Sequence, residues 1–192
     1  REAASSEDAA PEVAAVERHA ALVDGLFDRG CVRFGEFTLK SGARSPIYLD
    51  LRRLVAMPDL MTLAARAYAE VLEGLAYDQL AALPYAALPI GAAVSLATGR
   101  PMLYPRREAK DYGTQALIEG VFLAGQRAVV LDDVATRGDS KVEAFGRLEG
   151  AGLVVEDVVV LIDREGGARA LMAEHGKRLH AVFSLRELVR AW

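Results

Sequence analysis

Apolar residues recur at helical spacing between Val13 and Arg29, with Val13, Val16, Ala20, Val23, Leu26 and Phe27 on one side and Gly30 placed to stop the turn. This predicts an amphipathic first helix. The next stretch, FTLKSGARSPIYLDL, alternates β-forming residues about a Ser-Gly-Ala-Arg-Ser-Pro turn, which predicts a hairpin or hooked strand pair outside the main sheet. A second helix is expected from Pro58 to about Leu75, with proline in its first turn and Gly74 near its end. Beyond it the pattern becomes short apolar strand, loop, helix, short apolar strand. The clearest case joins AVVLDD (Ala128 to Asp133) to VVVLID (Val158 to Asp163), thirty positions on, through KVEAFGRLEGAG, which puts Val142, Phe145 and Leu148 on one helical face. That is the size of a βαβ unit with parallel strands and a right-handed crossover. Parallel strands end on a common edge, so Asp132, Asp133, Asp163 and Arg164 are expected to gather along one rim, where open α/β sheets bind ligands. The segment TQALIEGVFLAGQ (Thr114 to Gln126) is expected to hold a further strand, with Arg106 to Gly113 before it as an exposed charged loop.

Composition narrows the class. A chain of 192 residues with 52% apolar and 26% charged residues is long enough for one domain with a sizeable core and leaves room for a small subdomain. Its net charge of -4, with a pI of about 5.5, argues against nucleic-acid or membrane partners, which usually leave a basic surplus. The single cysteine, Cys31, excludes an internal disulfide and a cysteine metal cluster, suits a reducing cytoplasm, and reads as a buried or incidental residue. No run reaches the roughly 18 to 20 apolar residues of a membrane helix. The opening REAASSEDAAPEVAA has neither the basic nor the apolar region of a signal peptide, and residues 1–11 read as a loose tail of a chain trimmed from something longer. His19, His175 and His180 fit no hydrolase or zinc motif, so core or surface roles are expected for each.

The chemistry concentrates in VVLDDVATRGDSK, Val129 to Lys141. Two adjacent carboxylates at a strand end repel each other, and burial raises the cost, so something should compensate. In the following ATRGDS, Gly138 permits a tight backbone approach, Thr136 and Ser140 offer hydroxyls, and a helix begins, whose first amides suit a phosphate. A capped helix without ligand would carry the same residues. The loop lacks both G-x-G-x-x-G and the P-loop lysine pattern, so dinucleotide and nucleoside-triphosphate binding lose support. Adjacent carboxylates point in different directions, which suits two neighbouring hydroxyls, or one hydroxyl and a developing cation, better than one metal. A phosphate cradle beside two hydroxyl acceptors describes a ribose phosphate.

LDDVATRGDS resembles the phosphoribosyl-pyrophosphate (PRPP) motif of the type I phosphoribosyltransferases. Four further segments, FTLKSGARSPIYLD, LPYAALP, YPRREAKDYGT and LIDREGGA, resemble the corresponding parts of orotate phosphoribosyltransferases, in the expected order. The likeness runs from about Val13 to Trp192, and Tyr112 with the tail KRLHAVFSL makes it most similar to the UMP-synthase type. The resemblance implies an α/β fold with a central parallel sheet flanked by helices, a small N-terminal hood (mainly residues 12–55), a flexible catalytic loop, and one domain over residues 12–192.

It also implies roles for individual residues. Lys40 would lie by both the ribosyl donor and the base, and Tyr48 with Leu49 would wall the orotate ring. Tyr85 and Ala86 would meet the pyrophosphate, where Ala86 gives up the lysine that the family often carries. Arg106, Arg107 and Lys110, with Tyr112, would close over the pyrophosphate, partly from the neighbouring subunit of a homodimer sharing its Arg106–Gly113 loop. The donor would rest on Asp132, Asp133, Val134, Ala135, Thr136, Arg137, Gly138, Asp139 and Ser140, with Thr136 also touching orotate and Arg164 pairing with its carboxylate. Lys110, Asp132 and Asp133 would carry the catalysis, the two acids stabilising the cationic ribose rather than attacking it. Mg²⁺ would arrive on the substrates, without an all-protein metal cage. A decarboxylase acting on the product is a possible partner. Arg137 and Asp139 depart from the small or hydroxylated residues usual in the motif. Asp139 is expected to turn outward and cap the helix through Ser140 or Lys141; otherwise it would weaken donor binding. Rival readings are a phosphoribosyltransferase for another base, a PRPP-sensing regulator without chemistry, and a structural partner domain.

Overall fold

The computed structural model describes residues 15–38, 42, 44–106 and 117–192. Helix α1 (Ala20–Asp28) buries Leu22, Val23 and Leu26 on the face that its apolar spacing predicts, and helical residues 15–18 precede it across a turn at His19. Strands β1 (Val32–Thr38) and β2 (Arg44–Leu49) pair antiparallel from Val32 opposite Leu49 to Thr38 opposite Arg44, a two-stranded sheet of their own. A short 3₁₀ helix (Leu51–Ala56) leads into α2 (Pro58–Glu73), which starts on its proline and buries Leu60, Ala64, Tyr68 and Leu72 at i, i+4, i+8 and i+12.

The remaining elements form the main sheet and its covers. Strands β3 (Gln79–Ala82), β4 (Met102–Pro105), β5 (Ile118–Glu119), β6 (Arg127–Ala135), β7 (Val154–Asp163) and β8 (Arg178–Ser184) lie in the order β5-β4-β3-β6-β7-β8. All neighbours run parallel except the β4–β5 pair at the edge. Helices α3 (Ala87–Thr98), α4 (Asp139–Gly150), α5 (Ala168–Glu174) and α6 (Leu185–Ala191) complete the chain order. Side chains along the central strands alternate between two cores. Val129, Leu131, Val159 and Leu161 pack with Leu26, Tyr68 and Phe183, whereas Ala128, Val130, Val158 and Val160 pack with Phe145, Leu148 and Met172. With both faces covered, β6 and β7 each contain a continuous apolar run, Ala128 to Leu131 and Val158 to Ile162, as buried parallel strands tend to.

The βαβ unit is present, with strands longer than their apolar runs. β6 pairs with β7 from Arg127 opposite Val154 to Ala135 opposite Asp163. Backbone pairing does not need apolar side chains, so Asp132 and Asp133 lie within the strand rather than after it. The segment Thr114–Gln126 needs a larger correction. Its strand is the two residues of β5, residues 114–116 lie outside the described residues, and Val121 and Leu123 are 89% and 71% exposed. Gly120, at φ +123° and hard against Leu103, turns the chain away after two residues, so the edge ladder ends there. Cys31 is buried, which pushes its thiol up and keeps it from being a thiolate nucleophile near neutral pH. No helix among the described residues is long and apolar enough to cross a membrane.

Candidate active site

The C-terminal end of β6 holds the paired acids in place from below. The buried Tyr68 hydroxyl of α2 donates to the Asp132 carbonyl at 2.6 Å, fixing the strand end where the carboxylates emerge. Asp132 Oδ1 accepts the Asp133 N–H at 2.9 Å, and its Oδ2 accepts Lys141 Nζ at 2.7 Å. Lys141 also donates to the Val134 carbonyl at 2.9 Å, and its side chain is only 3% exposed. The mutual repulsion of the two acids is thus met inside the protein, by a buried ammonium, before any substrate arrives. A sequence signal existed: Lys141 sits in the first turn of α4, where the helix dipole disfavours a cation, so an anion nearby is needed to hold it there.

Asp133 is left as the unbalanced member of the pair. Its Oδ1 accepts the Val134 N–H at 2.9 Å, yet burial, the neighbouring Asp132 charge and the hydrogen bond to Asp132 push its pKa up to about 7. Lys141 and the Val134 N–H pull it the other way and only partly offset these effects.

A cavity of about 750 Å³ opens over these groups. Asp132, Asp133, Val134 and Ser140 form one part of its wall, Leu83 to Ala86 another, and Arg52, Pro105, Glu143 and Arg147 stand at its margins. The expected residues Tyr85 and Ala86, from the loop between β3 and α3, therefore meet the acids in one space, and Tyr85 is 67% exposed to it and to solvent. Ala135 is buried at the strand end, and Thr136 and Arg137 are exposed on the loop outside the cavity lining.

Gly138 is the residue on which this loop turns. It caps α4 at φ +103°, and a Cβ there would come within 2.8 Å of Met172 Cε. Gly138→Ala is therefore expected to lower stability by about 2 kcal/mol, half from the backbone and half from the crowding, measurable as a shift in thermal unfolding. Asp139 does not cap the helix. The cap is Gly138, α4 has no side-chain cap hydrogen bond, and Asp139 is its first residue, exposed and outside the cavity lining. A glycine in the left-handed conformation moves the helix start one residue earlier than expected, so Asp139 contributes through the favourable helix dipole instead.

The residues expected to face the base assemble from two sheets. Tyr48 stacks beside Phe37 and under Arg33, and Leu49 pairs with Val32 at the base of the hairpin. Arg164 donates its N–H to the Ala135 carbonyl at 2.8 Å and reaches Ser45 Oγ of β2 at 3.4 Å, so it ties the hairpin to the rim. Of the four residues expected along the rim, Asp163 is diverted: it is buried, held by Arg169 Nε at 2.8 Å and by the Glu165 N–H. Arg106 pairs with Glu119 at 2.7 Å across β4 and β5, and its carbonyl accepts from Arg147. Lys40, Arg107, Lys110 and Tyr112, with the rest of the loop to Gly113, lie outside the described residues. Among the described residues no group of three or more His, Cys, Asp or Glu is arranged to hold a metal ion, and the cavity's hard oxygen donors are Asp132, Asp133, Ser140 and Glu143.

No family model matches the chain. An orotate phosphoribosyltransferase of Caenorhabditis elegans is 39% identical over 168 residues, covering 86% of this chain and 74% of that protein. This chain belongs to the orotate phosphoribosyltransferase family. The Nostoc sp. bifunctional enzyme PyrF/PyrE is 38% identical across 98% of the chain, and the solved UMP synthase of Leishmania donovani superposes with a TM-score of 0.83 at 49% identity over 90% of it. The chain spans 40% of the length of the first and 37% of the second. The family's α/β architecture, with its mostly parallel sheet between helices, is the one described above.

Proposed function

We propose that this chain transfers the 5-phosphoribosyl group of PRPP to a ring nitrogen of orotate, giving orotidine 5′-monophosphate and pyrophosphate, a step of pyrimidine (UMP) biosynthesis. The observation that carries the reading is the Asp132–Asp133 pair at the end of β6, facing a cavity that Ser140, in the first turn of α4, also lines. The C1′–oxygen bond breaks ahead of attack, its electron pair leaving with the pyrophosphate, and the orotate nitrogen then supplies the pair for the new C1′–N bond. Positive charge grows on the ribose in between. Asp133 accepts a hydrogen bond from a ribose hydroxyl and stabilises that charge, while Lys141 holds Asp132 in place through its 2.7 Å hydrogen bond. Arg164, already at the hairpin, is placed for the orotate carboxylate, with Tyr48 and Leu49 for its ring. In this reading Lys40, Arg107, Lys110 and Tyr112 act on the donor's phosphates, while Arg106, paired with Glu119, holds the start of their loop.

Mg²⁺ belongs to the same proposal. The hard oxygen donors of the cavity suit it: its first ligands would be the donor's pyrophosphate and ribose oxygens, and Asp133 and Ser140, which line the cavity, would hold it there through those oxygens or water. When bound it neutralises charge on the leaving group. A homodimer sharing the Arg106–Gly113 loop, and a covalent or separate orotidylate decarboxylase, complete the proposal; the bifunctional Nostoc relative and the UMP synthase support the second.

Loss of orotate absorbance with PRPP and Mg²⁺ is the expected result for the native chain, abolished by EDTA. Lys110→Ala is expected to lower kcat by about 10²-fold or more. Unchanged orotate with the native chain would reject the transferase reading.

A further inference from the structure

Arg52 lies in the 3₁₀ helix after β2 and lines the same cavity as Asp133, Tyr85 and Ala86. Two of its guanidinium nitrogens are fixed from within the protein: Nε donates to Asp50 Oδ1 at 2.7 Å and Nη2 to the Tyr48 hydroxyl at 3.3 Å. Its Nη1 makes no hydrogen bond among the described residues, and the side chain is 67% exposed. The other described arginine of the lining, Arg147, is committed on both terminal nitrogens, to Glu143 at 2.5 Å and to the Arg106 carbonyl. The Lys141 charge is likewise spent on Asp132. The cavity wall carries Asp132, Asp133 and Glu143, so a polyanion entering it needs N–H donors that internal partners have left open, and although Arg52 pairs with Asp50 its Nη1 edge supplies them.

We propose that Arg52 is a binding residue for the pyrophosphate group of the PRPP donor, held in place by Asp50 and Tyr48. The assignment rests on the transferase reading above. A guanidinium pinned on one edge offers its other edge at little entropic cost, the geometry suited to phosphate oxygens. The cavity also separates the two anionic substrates. None of the base-facing residues Tyr48, Leu49 and Arg164 lines it, whereas Ala86 and Ser140 do, so the Nη1 edge serves the donor rather than the orotate carboxylate. Through its hydrogen bond to Tyr48, Arg52 links the donor's phosphate end to the wall of the base.

Calorimetric titration with PRPP, with inorganic pyrophosphate and with orotate, all with Mg²⁺, tests this in the native chain and in Arg52→Ala. Arg52 is exposed, so its truncation leaves the core intact, and an unchanged thermal transition checks this. The variant is expected to bind PRPP and pyrophosphate about tenfold more weakly while orotate affinity stays the same. Ala86→Lys, added to Arg52→Ala, is expected to recover most of the lost affinity by placing a cation on the same wall. Unchanged PRPP and pyrophosphate affinity would overturn the assignment, as would a loss confined to orotate. A native chain that binds PRPP, loses it in Arg52→Ala, and yet leaves orotate unconsumed would reject the transferase reading while upholding the arginine.

Discussion

Lys141→Met is expected to lower the unfolding free energy by about 3–5 kcal/mol, the largest effect of any single substitution named for this chain. The reason is an asymmetry. An ion pair in a buried place is worth little against two apolar side chains, but removing one partner leaves the other charge with no compensation. Lys141 is nearly inaccessible and holds both Asp132 Oδ2 and the Val134 carbonyl, so methionine would leave a carboxylate beside a second carboxylate and an orphaned acceptor. For a protein of this size the loss corresponds to a fall on the order of 10 °C in thermal midpoint. Adding Asp132→Asn should return part of it, since a neutral amide no longer needs the ammonium, so the double variant is expected to be less damaged than the sum of the singles. A loss below about 1 kcal/mol would mean that water already solvates the pair.

Asp133→Asn is expected to cut kcat/KM by about 10²-fold, through loss of the carboxylate that meets the ribose as charge develops on it. Its effect on stability should have the opposite sign, and pH separates the two. The Asp133 carboxyl is raised from the ordinary 3.8 to about 7, so the folded protein keeps a proton that the unfolded chain has released. Stability from this group is therefore full below about pH 4 and declines as pH rises through about 7, where the folded carboxyl ionises against Asp132. Denaturant unfolding at about pH 5 and about pH 8 should show the decline in the native chain, and Asp133→Asn should flatten it. Activity is expected to run the other way, with kcat/KM climbing as the carboxylate forms near pH 7. Equal pH slopes in the native chain and the variant would assign the decline to other groups.

Much of the fold was legible because its signals are local. Helix α2 announces itself through Pro58 and the spacing of Leu60, Ala64, Tyr68 and Leu72, and β6 and β7 through apolar runs that only a two-faced burial tolerates. The paired acids and the loop after them pointed to a ribose phosphate for the same reason: their meaning lies in the order of neighbouring residues. The segment after Arg106 was less legible, because Val121 and Leu123 have strand-like character but find no strand to pair with once Gly120 turns the chain. Propensity states what a residue tolerates, and pairing requires a neighbour.

Sequence by itself determined that a parallel α/β sheet would bring Asp132, Asp133 and the glycine turn after them to one edge, since strand direction and chain order leave few other arrangements, whereas Tyr85 and Ala86 were expected there only from the family resemblance. Only the tertiary structure decided which charges there are available. Asp163 goes to Arg169, Arg106 to Glu119, Asp132 to Lys141, and Arg52 reaches the cavity that Ala86 also lines from the 3₁₀ helix after β2, with one edge open. A donor or acceptor atom is spent or open according to what lies within about 3 Å of it, and for Asp163, Arg106 and Asp132 those partners are set by the folded geometry rather than by residue type.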